Sequence, residues 1–137
     1  MKNYSRGFTK LQMIGALALV FIFVALSVPK VIDIYVKTKE SATKTNLDRL
    51  RSAVAAYYGD NRGNYPEDDL SVLVPRYIEK IPYVDVQGFQ KSGTVRVNQI
   101  NGKGGWFYFK DKTNPRWGDV VINLPGKDSS GKLWTDN

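Results

Sequence analysis

The chain has 137 residues, 20 basic and 13 acidic, with a formal charge of +7 and neither cysteine nor histidine. The missing thiols exclude disulfides and thiolate metal sites, and the missing imidazoles remove the commonest general base and metal ligand. The basic residues are scattered, among them Lys37, Lys44, Arg51, Lys80, Arg96 and Lys110, and they lack the interleaved aromatics of a nucleic-acid face. No residue pattern frames a nucleophile, so an enzyme is not expected, and nucleic acid is not an expected partner.

The chain starts with a polar leader, Met1 to Gly7, that carries Lys2 and Arg6. Phe8, Thr9 and Lys10 follow, and then 18 uncharged residues run from Leu11 to Val28. As a helix they span about 27 Å, close to the ~30 Å hydrocarbon core of a bilayer. Eleven of them are Leu, Ile, Val or Phe. On an insertion scale these favour the membrane by roughly 3–7 kcal/mol. Lys10 lies at the edge of the run, where its ammonium can reach the headgroups. The basic leader predicts a cytoplasmic start and an outward C-terminal portion.

Three uses of such a run compete. A core helix needs a larger protein to enclose it. A secretory signal needs a small-x-small cleavage site, and Ala25-Leu26-Ser27 offers one. A retained anchor, with its leader removed at Gly7-Phe8, explains why the basic segment stops at a glycine.

The helical pattern continues past Pro29 and changes character. Leu47, Leu50, Val54 and Tyr57 form an apolar stripe with charged residues around it, so this half needs a partner surface. Glu40 and Lys44 are spaced as an i,i+4 ion pair. Gly59 to Gly63 should end the helix. Pro66, Asp68 and Asp69 then predict a short helix through Leu70, Leu73, Tyr77 and Ile78, broken or bounded at Pro75. Strands are expected at 94–97, 106–109 and 119–124, with a flexible turn at 101–105 and a hairpin loop at 111–118. The aromatics of Trp106-Phe107-Tyr108-Phe109 suit a core under a single covering helix better than a ligand platform. The expected fold class is therefore α+β: a long N-terminal helix packed on a small C-terminal antiparallel sheet. The expected divisions are a leader 1–7, a membrane or filament-core helix 8–29, its amphipathic continuation 30–59 and a globular head 60–137.

Gly7-Phe8-Thr9 before an apolar run resembles the class III signal of type IV pilins and of type II secretion pseudopilins. Asp60-Asn61-Arg62-Gly63-Asn64-Tyr65-Pro66 resembles the segment that ends the long helix in major secretion pseudopilins. The strings Leu73-Val74-Pro75 to Ile81-Pro82, Gly104 to Tyr108, Val121 to Leu124 and Asp128 to Trp134 are similar to later parts of that family.

The resemblance implies a pilin fold, cleavage between Gly7 and Phe8 by a prepilin peptidase, and methylation of Phe8. It implies a single-pass protein of a bacterial inner membrane that later forms a periplasmic or extracellular filament. Its partners would be copies of itself, other pilin-like subunits, an assembly platform and lipid. Pro29 stands where the family usually has proline. Gly15 and Ala18 would allow close helix packing. Gln12 stands where the family norm is a glutamate that neutralises a neighbour's amine, and Lys10 adds a cation beside it. Secretion pseudopilins often hold calcium in the C-terminal loop, which makes Asp119, Asp128 and Asp136 candidate ligands. Otherwise no cofactor is expected. The secretion role is the nearer one, with a pilus for adhesion, motility or DNA uptake, or an anchored binding domain that does not polymerise, as alternatives.

Overall fold

The computed structural model describes residues 7–137. The expected leader thus lies outside the described residues except for Gly7. Helix α1 runs over Lys10–Asp60, strands β1, β2 and β3 over Val95–Arg96, Trp106–Tyr108 and Val120–Ile122, and 3₁₀ turns occupy Ser71–Leu73 and Trp134–Asp136. The chain divides into two compact units, one ending at Tyr35 and one from Val36 to Asn137.

The first unit is helical from Lys10 onward, and Pro29 lies inside α1 without ending it. Its apolar side chains are exposed: Leu11 by 79%, Phe21 by 71% and Leu26 by 69%. α1 is the one helix among the described residues that is long and apolar enough to cross a membrane.

The second unit has a core. Leu47, Leu50, Ala53 and Val54 from α1 meet Trp106 and Tyr108 of β2, Val120 and Ile122 of β3, and Leu124 and Trp134. The expected helix stripe therefore finds its sheet. Phe107 and Val121 alternate to the other face and are buried as well. Phe109 packs edge-on against Phe107 with centroids 4.9 Å apart, and the Arg116 guanidinium lies 4.6 Å from the Phe109 ring centre. The sheet is thus covered on both faces, although it has one helix.

The expected antiparallel sheet is mixed. β2 and β3 pair antiparallel as the expected hairpin, but β1 runs parallel to β2, with Val95 opposite Trp106. The segment between β1 and β2 turns the chain back on itself. Asn123 is fully buried and pins this segment: its Oδ1 accepts from the N–H groups of Asn101 and Gly102, and its Nδ2 donates to Asn101 Oδ1 and the Gly104 carbonyl. Gly105 completes the return at φ 74°, and a Cβ there would lie 2.2 Å from the Thr94 carbonyl oxygen. Only glycine fits that approach.

The expected helix at 70–78 shrinks to the turn at Ser71–Leu73. The Asp68 carboxylate accepts from the N–H groups of Leu70 and Val72 and from the Ser71 hydroxyl. Pro75 then removes the donor that a further turn would need. Past the end of α1, Arg62 and Gly63 take positive φ. Tyr65 tucks between Tyr58, 4.4 Å away, and Trp117, 5.0 Å away. Gly118 leaves room for that ring, since a Cβ there would come within 2.5 Å of it.

Candidate functional site

The residues singled out by the sequence fall mostly on the first unit. Gly7 and Phe8 precede α1, and Phe8 is 82% exposed. Thr9 and Gln12 close on each other at the helix start. The Thr9 N–H donates to Gln12 Oε1 at 2.9 Å, and the Gln12 N–H donates to Thr9 Oγ1 at 3.3 Å. This is a reciprocal capping box of the Thr-x-x-Gln form, which satisfies two of the donors left open at a helix N-terminus. The Gln12 carboxamide is thus engaged within its own chain. The signal is legible in the sequence as Thr9-Lys10-Leu11-Gln12, a Thr-x-x-Gln spacing ahead of an apolar run.

The Lys10 side chain makes no hydrogen bond or ion pair among the described residues. Gly15 sits in mid-helix with open space around it, where glycine costs about 1 kcal/mol relative to alanine. Ala18 is exposed on the same helix, and Pro29 follows the uncharged run.

The calcium candidates lie in the second unit and are engaged by cations. Asp119 accepts from Arg51 Nε at 3.1 Å and from Arg116 Nη2 at 2.8 Å. Asp128 has a buried side chain that pairs with the Lys44 ammonium. Its Oδ1 also accepts from Ser130 Oγ and from the N–H groups of Ser130 and Lys132. Lys44 first and Ser130 second hold this carboxyl well below the usual carboxylate range. Asp136 belongs to the C-terminal 3₁₀ turn. The structure does not bring the three together, and among the described residues no group of three or more His, Cys, Asp or Glu is placed to hold a metal ion.

Lys44 therefore bonds across the unit to Asp128 rather than to Glu40, its neighbour one turn away. Glu40 is buried and accepts from the Ser129 N–H at 3.1 Å. Together these two helix residues fasten the loop around residue 128 to α1. Residues 135–137 are held in the same manner: Arg51 donates to the Asn137 main-chain oxygen and Arg116 to the Thr135 carbonyl. Sequence reasoning missed these straps because each joins residues more than 18 positions apart. Tyr108 donates to the Pro66 carbonyl at 2.7 Å, and burial pushes its hydroxyl pKa up. Arg96 Nε is buried without a hydrogen-bond partner.

No protein-family model, no curated protein and no solved structure matches the chain.

Proposed function

We propose that this chain is a structural subunit of a type IV pilus-like filament, nearest to a pseudopilin of a type II secretion system. In this reading a prepilin peptidase cuts between Gly7 and Phe8, Phe8 is methylated, and the mature chain waits in a bacterial inner membrane with its head outside the cytoplasm. The observation that carries the reading is the first unit: a helix of exposed apolar side chains preceded by Gly7-Phe8. Lipid can cover that surface in storage, and other copies of the same helix can cover it in a filament. Lipid tails are as apolar as leucine, so close packing must favour assembly, and Gly15 and Ala18 suit close approach.

The mass of the mature protein tests cleavage and methylation together. A mature end at a methylated Phe8 is expected. A mature end at Val28 would sink the pilin reading in favour of a released soluble domain. Gln12→Glu keeps the capping box and adds the family's charge, so filament yield should rise or stay unchanged. Loss of assembly on that change would argue against charge-based docking.

A second reading is favoured by one observation. Because Gln12 is closed on Thr9 and Lys10 lacks a partner, the helix is also suited to a plain tether for a head that does not polymerise. Electron microscopy of overexpressed protein separates the two, since a tether gives no filaments.

A further inference from the structure

Lys10 is the only charged residue from Phe8 to Pro29. Asp33 is the only carboxylate from Phe8 to Lys39. Neither makes an ion pair among the described residues. Lys30 and Lys37 flank Asp33 at helical spacing, yet neither closes on it. Lys10 and Asp33 both belong to the unit ending at Tyr35. At 1.5 Å and 100° per residue, their separation along α1 is about 35 Å and about 140° around the axis.

Parallel copies packed side by side at one level would set Lys10 against Lys10. Within a bundle of apolar helices that ammonium is dehydrated and needs an acceptor. Gln12 cannot supply one while it caps its own helix. We propose that Lys10 of one copy docks on Asp33 of a parallel neighbour displaced by about 35 Å along the helix axis, and that this pair sets one axial stagger of the assembled array. The inference rests on the filament reading above. The two groups lie on different sides of the helix, so the contact is head-to-tail. Such a contact propagates into an open helical array instead of closing as a dimer.

The chain has no native cysteine, so cross-links report introduced thiols alone. Full-length Ile14→Cys and Lys37→Cys chains, which keep Lys10 and Asp33 and place the thiols one turn further along the same faces, are co-expressed in membranes, assembled and oxidised. A dimer linked between positions 14 and 37 is expected at roughly tenfold the level of 14–14 or 37–37 dimers, since a disulfide needs Cα atoms within about 7 Å. In parallel, Lys10→Asp or Asp33→Lys alone should lower the assembled fraction roughly tenfold, and the double exchange should restore it to within about twofold. Mass measurement checks that every variant is cut at Gly7. Cross-links in a scan of single introduced cysteines along Leu11–Val28 without a 14–37 preference, or single reversals that assemble normally, overturn the pairing and leave the filament reading standing. Absence of any cross-link between copies in that cysteine scan along Leu11–Val28 overturns both.

Discussion

Leu17 and Leu50 lie on the same helix and meet opposite fates. Leu17 is 56% exposed, whereas Leu50 is fully buried against the sheet of the second unit. The described apolar residues up to Tyr35 are exposed, whereas further along α1 Leu47, Leu50, Ala53 and Val54 are buried. The core of the second unit draws on α1 only from Leu47 onward. The exposed run before it is long and apolar enough to cross a membrane. Burial stabilises by roughly 1.5–3 kcal/mol per large apolar side chain, so moving the uncovered run out of water is strongly favoured.

The largest expected effect breaks the second unit and spares the first. Trp106→Ala removes a fully buried ring and the donor to the Pro82 carbonyl. A loss of about 3–5 kcal/mol is expected for such a truncation. Chemical denaturation of the full chain in detergent should show it, while on the proposed pilin reading membrane insertion and cleavage at Gly7 stay unchanged. If insertion fails as well, the two units do not act separately.

Gly105→Ala tests the parallel crossover. The positive φ alone costs on the order of 1–3 kcal/mol, and the clash with the Thr94 carbonyl adds to it. The head should melt earlier, whereas Gly15→Ala, in open space on the first unit, should leave head stability unchanged. Equal effects from the two substitutions would contradict the division.

Asp128→Asn leaves Lys44 without its carboxylate and should cost about 1–3 kcal/mol. The pH dependence has a definite sign. The folded-state pKa of Asp128 is depressed, so its contribution is fully present above the ordinary carboxylate value of about 4. It is lost as pH falls from there through the depressed value. Stability measured from pH 6 downward should therefore drop less steeply in Asp128→Asn than in the native chain.

The smallest effect belongs to the first unit. Thr9→Ala removes one half of the capping box and should weaken the helix start by about 0.5–2 kcal/mol. Amide hydrogen exchange over residues 9–13 in detergent should quicken, with no change at Leu50. Gln12→Glu should keep the protection that Gln12→Ala loses.

The legible parts share a physical basis. The helix, its end near Asp60, the β2–β3 hairpin and the buried stripe of Leu47, Leu50 and Val54 all follow from local periodicity and turn residues. The capping box was equally local, and Thr9-x-x-Gln12 carried it in plain form. The direction of β1 was not legible, because it depends on a buried Asn123 reaching back to Asn101 and Gly104. Nor was the choice of Lys44 between Glu40, four residues away, and Asp128 in a distant loop. The 3₁₀ turn at Ser71–Leu73 replaced a helix because Asp68 and Pro75 act from its two ends.

By itself the sequence determined an uncharged membrane-length run after Gly7-Phe8, the absence of thiol and imidazole chemistry, and an α+β order of elements. These rest on composition and short-range spacing, which tertiary contacts do not alter. The tertiary structure alone decided that the sheet is mixed, that both its faces are buried, and that Asp119 and Asp128 receive cations from distant parts of the chain. Each of those outcomes depends on groups far apart in sequence competing for one partner, and only the folded arrangement settles which of them wins.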